Sequence, residues 1–401
     1  MKDHIASRID RMAPSGIRKV NEKALALERA GEQVLHFEIG RPDFDTPEYI
    51  KQAAYQALAQ GKVHYTSNFG LLELRQAIAD KLRRENHVDY KASEVLVTVG
   101  LSEAVLAALA TLLEAGDELL VPDPVWLNYI NVPNLLGARA VTYHLREENH
   151  YQMDLDEIRT KITSKTRAIV IVTPNNPTGG VLEANVLQEL AEITIKNDLI
   201  VIADEIYERL VYDGARHISI ASLPGMKERT FTMNGMSKAY AMDGWRLGYV
   251  AAPEKYILAM NKFHQHNTTC APSFVQAAAI AALTQETSEV RDMVREYQRR
   301  RDYAVKAINE IDGIHCECPK GAFYIFINCK SLGMTSAQLS DYLLEHAKIA
   351  LVPGDVFGPG GEGYLRMSFA ASYQSIAEGC LRLKAAIEGL HTSGRQRPEA
   401  V

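Results

Sequence analysis

The chain has 401 residues, long for a single hydrophobic core, and its 47% apolar content is ample for two domains. Charged residues make up 23% and the net charge is -6, which provides no basic face and excludes nucleic acid or another polyanion as the expected partner. Met1–Asp10 lacks the apolar core of a signal peptide, and no run of about eighteen apolar residues follows, so a cytoplasmic protein without a membrane partner is expected.

Residues 1–47 read as an arm, a helix and a strand. Pro14-Ser15 precedes an amphipathic run from Ile17 to Ala30 that Gly31 stops. Val34 to Ile39 reads as a short strand, and Gly40 to Pro47 is turn chemistry throughout, which fits a domain boundary. Two helical patterns follow, Ile50 to Leu58 and Leu71 to Leu82, separated by an aromatic, polar loop from Lys62 to Gly70. Val95 to Val99 is an apolar strand that runs into Gly100-Leu101-Ser102-Glu103. Ser102 is expected to cap a helix over Glu103 to Ala115. A strand, a glycine and a helix start offer free N–H groups to a phosphate, although an ordinary βα turn has the same sequence.

Strand-like runs then recur at Glu118 to Val121, Arg139 to Tyr143, Ala168 to Val172, Leu199 to Ala203, Thr230 to Met233 and Leu247 to Ala251. Near-continuous apolar strands alternating with helical stretches predict an α/β fold, a mainly parallel seven-stranded sheet covered by helices on both faces. Ligands of such sheets sit at the carboxyl ends of the strands, and Asn176, Asp204 and Lys238 all stand just past such ends. No Gly-x-Gly-x-x-Gly opens the first βα turn, which sets a nicotinamide dehydrogenase aside.

The stretch Asn234 to Gly248 puts Lys238 among small and hydroxyl residues, with Arg246 eight positions on. Gly235, Gly244 and Gly248 are expected to let the backbone approach a ligand. A partly desolvated Lys is a Schiff-base amine, while Ser237 and Arg246 suit a phosphate. An aldehyde and a phosphate together describe pyridoxal 5'-phosphate; a solvated loop Lys beside a surface Arg is the plainer reading of this stretch alone.

From about Glu286 to Ile311 a long charged helix is expected, its Arg299-Arg300-Arg301 cluster a solvated face. Short strands (Ala322 to Ile327, Ile349 to Val352, Leu365 to Phe369) mix with helices (Ser336 to Ala347, Gln374 to Leu390) as in a smaller α+β domain. The expected division is a large domain over 48–285 and a small, discontinuous domain formed by 1–47 and 286–401. A polar tail, Thr392 to Val401, is expected to be disordered. Of the five cysteines, Cys316 and Cys318 are spaced by one residue, too close for a zinc pair, and no His pair at ligand spacing follows. Cys270, Cys316, Cys318, Cys329 and Cys380 are therefore read as reduced thiols, with no metal expected.

Val172 to Gly180 (VTPNNPTGG), Ala203-Asp204-Glu205-Ile206-Tyr207 and the Lys238 to Arg246 stretch occur in an order and spacing that resembles the fold-type I, class I/II pyridoxal-phosphate-dependent aminotransferases. The likeness is greatest to their prokaryotic aspartate aminotransferase branch and spans about residues 14 to 390. It implies a ping-pong transfer of an amino group from an α-amino acid to a 2-oxo acid through an internal aldimine on Lys238. Asp204 would pair with the pyridine nitrogen, and Asn176 and Tyr207 would bond the cofactor's phenolic oxygen. Arg246, the N–H groups and hydroxyl around Leu101 and Ser102, and Ser237 would hold the phosphate; Trp126 would stack on the ring. Tyr65 would reach the neighbour's phosphate across a homodimer. Arg366 would grip the substrate α-carboxylate with Gly40 beside it, and Ile17 would sit on a mobile segment shielding the site.

The resemblance leaves the donor open. Acid-selective prokaryotic members carry a Lys where this chain has Ser102, and Gln265 to Thr269 contains no Arg to take its place. A β-lyase, cyclase or oxidase would use the same cofactor and begin from the same Cα carbanion. A regulatory protein on this fold would need a separate DNA-binding domain, for which the stretch before Pro14 is too short.

Overall fold

Apolar strands with no polar face need cover on both sides, and the chain supplies it by alternating strand and helix. The computed structural model describes residues 4–10, 12, 14–285 and 287–394. In chain order the elements are α1 (Ser7–Asp10), α2 (Gly16–Arg29), β1 (Leu35–His36), α3 (Glu48–Ala59), α4 (Leu72–Asn86), β2 (Val95–Thr98), α5 (Leu101–Leu112) and β3 (Glu118–Asp123). Next come α6 (Asn128–Leu136), β4 (Arg139–His144), α7 (Leu155–Lys161), β5 (Thr166–Val172), α8 (Ala184–Lys196), β6 (Ile200–Asp204), β7 (Thr230–Gly235) and β8 (Gly248–Ala251). The chain continues through α9 (Glu254–Asn267), α10 (Ser273–Thr284), α11 (Glu289–Asn309), β9 (Tyr324–Asn328), α12 (Ser336–Tyr342), β10 (Ile349–Ala350), β11 (Val352–Pro353), β12 (Tyr364–Ser368) and α13 (Tyr373–Gly394).

Seven strands form one sheet in the order β2-β8-β7-β6-β5-β3-β4, in which β8 alone runs antiparallel to its neighbours. The expected mainly parallel sheet is present. Its centre is dry: Ile169, Val170 and Ile171 on β5 are buried, and each such side chain contributes about 1.5–3 kcal/mol relative to exposure. The register sets Asp204 beside Val172 on one side and Met233 on the other, so the carboxyl ends of β5, β6 and β7 lie abreast. The loops that leave them therefore open onto one place.

The C-terminal strands form an antiparallel β11-β12-β9 sheet, and β1 pairs in parallel with β10. Val20, Ala24 and Val34 pack with Leu344 and Ala350, which ties the start of the chain to its last third. The strand expected over Val34 to Ile39 is reduced to two residues, because after the Phe37 N–H, which still pairs with β10, the backbone carbonyls bond elsewhere. Phe37 N–H donates to Ala350 O (3.1 Å), Phe37 O accepts from Ser368 N–H (2.8 Å), and Glu38 O accepts from Arg366.

The cap assigned to Ser102 is corrected. Helix α5 begins at Leu101 behind Gly100, whose φ of 75° replaces any side-chain cap, and Ser102 lies inside the first turn. The Glu103 carboxylate accepts the Val99 N–H (2.6 Å) and pulls the preceding loop onto the helix. The helix predicted to start near Glu286 begins at Glu289, residue 286 itself lying outside the described residues. Of the polar tail, Thr392 to Gly394 continue α13 because its helical register runs on, and the remainder lies outside the described residues. All five cysteines are unpaired, Cys316, Cys329 and Cys380 being buried. Among the described residues no helix is long and apolar enough to cross a membrane.

Candidate active site

A cavity of about 560 Å³ opens where β5, β6 and β7 end. Ile17, Gly40, Leu101, Ser102, Trp126, Asn176, Asp204, Tyr207, Ser237, Lys238, Arg246 and Arg366 all line it. Residues 349 positions apart are thus brought to one wall, as Ile17 and Arg366 show. Tyr65 is the exception: it is 86% exposed and lies outside the cavity of its own chain.

Asp204 ends β6 at the cavity floor and is 5% exposed. Burial raises its carboxyl to about 6, against the opposing hydrogen bonds from Tyr129 Oη (2.9 Å) and Ile206 N–H (3.2 Å). Lys238 follows β7 and keeps part of its surface open to the cavity; its Nζ donates to Gly40 O (2.6 Å). Burial lowers this amine to about 8, with Arg366 and Arg246 acting in the same sense and Asp243 against it. The result is an amine that is partly neutral near neutral pH.

Arg366, on β12, is 1% exposed and clamped among groups of three origins. Its guanidinium donates to Asn176 Oδ1 (3.1 Å) and to Glu38 O, and lies 4.5 Å from the Tyr324 ring centroid. Its Nε has no hydrogen-bond partner although it is buried. A buried charged donor left free costs folding energy, and a carboxylate in the cavity would satisfy it. Tyr207 Oη lies 2.8 Å from Tyr324 Oη, and Lys238 Nζ sits 5.8 Å from the Tyr207 ring.

At the opposite end the first-turn N–H groups of α5, which have no partner within the helix, face the cavity with Ser237 and Arg246. An added Cβ on Gly100 would lie 2.4 Å from Arg246 Nη2, and one on Gly248 would lie 2.8 Å from Leu101 N. Glycine is needed at both so that Arg246, β8 and the helix start can close together. The expectation for the other two glycines is revised. Gly235 meets Leu247 O rather than a ligand, and Gly244 faces open space with no steric demand.

A model of the family "Aminotransferase class I and II" matches residues 32–383. The chain belongs to this family. It is 43% identical to the aromatic-amino-acid aminotransferase 2 of Thermococcus litoralis and 44% identical to the aspartate aminotransferase of Pyrococcus abyssi, in each case over 95% of this chain and 97% of the relative. The aspartate aminotransferase of Thermus thermophilus, solved with maleate, superposes with a TM-score of 0.92 at 36% identity, covering 96% of this chain and all of that one. As a class I and II aminotransferase the protein is a pyridoxal-phosphate-dependent transaminase acting on amino and 2-oxo acids. The cavity fits that cofactor: a reachable amine, a buried carboxylate for a ring nitrogen, and a helix start with a guanidinium and a hydroxyl for a phosphate.

Sequence reasoning missed Tyr129, Tyr324, Arg18, Arg41 and Asp243, the first bonded to Asp204, the second to Tyr207, and the last three lining the cavity with Tyr324. Tyr129 stands one helical turn after Trp126, a spacing that signals a shared face. The other four carry no local signal. Away from the cavity, Glu205, Glu208 and His217 offer ligand atoms within 4.8 Å of one another. The Lys81 ammonium pairs with Glu208 there, and Asn86 Nδ2 donates to the same carboxylate (2.7 Å).

Proposed function

We propose that this aminotransferase runs a ping-pong exchange between an α-amino acid donor and a 2-oxo acid acceptor such as 2-oxoglutarate or pyruvate. Lys238 is the covalent attachment point and proton carrier, Asp204 the partner of the ring nitrogen, and Arg366 the grip on the α-carboxylate. The observation that carries the reading is the meeting of a lowered amine, a raised carboxylate and an incompletely bonded arginine in one cavity.

When bound, pyridoxal phosphate supplies an aldehyde that takes up the substrate amine and a ring that accepts the electron pair left at Cα. The residues do the rest. With the cofactor bound, Lys238 Nζ would carry the proton taken from the substrate's Cα, a task that burial favours by lowering the amine to about 8, so that a fraction of it is neutral at pH 7. Asp204, at about 6, is ionised at that pH and favours a protonated ring nitrogen. Asn176 and Tyr207 would bond the phenolic oxygen, Leu101, Ser102, Ser237 and Arg246 would hold the phosphate, and Trp126 would pack on the ring. Gly40 lies against the substrate carboxylate, and Ile17 shields it once α2 closes over the site.

The same proposal includes a homodimer in which Tyr65 reaches the neighbouring site. Support comes from the loop that carries it: Ser273 Oγ donates to Lys62 O (2.6 Å), Gln276 to Thr66 (3.0 Å) and Asn68 to Thr269 O (2.7 Å). A loop held this firmly, yet presenting Val63 and Tyr65 to solvent beside an exposed Leu72 at the start of α4, is built to be covered. The division into 48–285 and 1–47 with 286–401 belongs to the proposal too, supported by the separate sheets on either side of it. So does a cytoplasmic location, which five unpaired thiols favour.

An absorbance spectrum of the purified protein tests the assignment. Loaded enzyme should show a band near roughly 360 to 430 nm that borohydride abolishes and that Lys238→Ala lacks. A variant retaining the borohydride-sensitive band would sink the role given to Lys238.

A further inference from the structure

The run Arg299-Arg300-Arg301 on α11, expected as a solvated face, is largely turned inward. Arg300 and Arg301 are 6% and 1% exposed, and each guanidinium is matched by a carboxylate from a distant part of the chain. Arg301 donates to both Asp213 oxygens (2.9 Å each) and to Pro319 O (3.0 Å), which anchors the helix beside the loop between β6 and β7. The Nη1 of Arg300 donates to both oxygens of Asp43 (2.8 Å each), 257 positions earlier, while Glu296 holds its Nε from one helical turn back (2.9 Å). The same guanidinium lies 5.2 Å from the Phe44 ring centroid, and Phe44 meets Tyr297 edge-on at 5.4 Å. Two consecutive residues of the turn from Gly40 to Pro47 are thereby fastened to α11, one by charge and one by its ring.

That turn also holds the segment of the reacting amine, near both of its ends. Gly40 O accepts from Lys238 Nζ (2.6 Å), and Thr46 Oγ1 donates to Ala241 O (2.6 Å) in a buried contact. Ala241 has a φ of 50°, a conformation that a residue other than glycine keeps only where its surroundings impose it, and its N–H closes onto Lys238 O (3.5 Å). Both the head of the Lys238 side chain and the backbone behind it are thus located by the turn, and the middle of the turn is located by α11.

We infer that Arg300 is a positioning residue for amino transfer: through Asp43 and Phe44 it sets where Gly40 holds the Lys238 amine. The inference rests on the transaminase reading and deepens it, since Arg300, Asp43 and Phe44 are all absent from the cavity lining and act only through the turn. A proton carrier depends steeply on placement, and a displacement of about 1 Å costs on the order of 100-fold in rate. A lysine at position 300 would keep the charge but offer neither the planar face to Phe44 nor the fixed fork that lets one group serve Asp43 and Glu296 together.

The test follows a single turnover of the full-length, cofactor-loaded enzyme with ordinary and Cα-deuterated forms of a donor that the wild type turns over, such as aspartate or phenylalanine. The rate constant at saturating donor is read per loaded site, so a variant that merely folds or loads less well loses amplitude and not rate. In Arg300→Met this rate constant should fall about 10- to 100-fold, with an isotope effect at least as large as that of wild type, because proton transfer is the step that slows. Asp43→Asn should slow the same step by a smaller factor, the double variant should be no slower than Arg300→Met alone, and Arg300→Lys should recover part of the rate. Arg295→Met, an exposed position on the same helix, should match wild type. A rate constant within about twofold of wild type in Arg300→Met, losses that multiply in the double variant, or an isotope effect that vanishes overturns the inference while leaving the transaminase intact. A wild-type enzyme that turns over no α-amino acid at all would overturn the transaminase reading as well.

Discussion

Burial acts in opposite directions on the two ionisable groups at the centre of the cavity. Asp204 is raised from its usual 3.8 to about 6, so between those values the native state holds a proton that the unfolded chain has lost. Stability contributed by this residue therefore falls as pH rises from 3.8 to 6, and the cost is present in full above 6. Lys238 is lowered from 10.5 to about 8, and there the unfolded chain holds the extra proton. Its cost is present in full below 8 and fades as pH rises to 10.5. Each shift corresponds to about 3 kcal/mol before relaxation is discounted. Apo-protein carrying Asp204→Asn or Lys238→Met should thus resist urea better than wild type at pH 7, by about 1–3 kcal/mol. The Asn gain should vanish near pH 4 and the Met gain should shrink toward pH 10. Unfolding midpoints that do not move would show that the native site does not strain these charges. Activity of the loaded enzyme should collapse in both variants, which is why the strain persists.

Among the elements, the junction of β2 and α5 has the least freedom. Gly100 combines a φ of 75° with a Cβ position 2.4 Å from Arg246 Nη2, so alanine meets a backbone penalty and a side-chain clash together. Gly116 has a φ of 92° but open space around it, and supplies the control for the backbone term alone. Gly100→Ala should cost about 1–3 kcal/mol in stability and loosen cofactor binding by about tenfold or more, followed by dialysis against apo-protein. Gly116→Ala should lower stability with little change in retention. Equal retention in the two variants would remove the phosphate contact from this junction. Strand β6 shows the other kind of constraint: its carboxyl end offers Asp204 to the cavity only because β5 and β7 flank it in parallel register.

For the molecule as a whole, the N-terminal flank and the C-terminal strands act as one wall. Helix α2 and β1 pack on the β10 region, so Ile17, Arg18, Gly40 and Arg41 are carried with the part of the fold that holds Arg366. Tyr65 is exposed and lies outside the lining of the chain's own cavity, and its proposed role is to complete a second copy's site. Lys238→Ala and Tyr65→Ala chains, coexpressed, should form mixed dimers in which one site has both wild-type residues. About a quarter of all sites would then be intact, with turnover above the sum of the separate variants. Turnover equal to that sum would mean that each chain works alone.

What the residue order determined unaided was local or periodic. Continuous apolar runs such as Ala168 to Val172 can only be buried strands, and Asn176, Asp204 and Lys238 follow such runs closely enough to be placed at strand ends before any coordinates exist. The fold class was legible for that reason, and the cofactor from the Lys238 to Arg246 stretch with the family motifs at Val172 to Gly180 and Ala203 to Tyr207. Ser102 was misread as a cap because the decisive groups, a left-handed Gly100 and the reach of Glu103 back to Val99, depend on backbone geometry that composition does not carry. Only the tertiary structure decided that Tyr129 bonds Asp204, that Tyr324 bonds Tyr207, and that Arg18 and Arg41 line the same cavity as Arg366. Those pairs are separated by tens to hundreds of residues, and a hydrogen bond acts over a few ångströms of space whatever the distance along the chain.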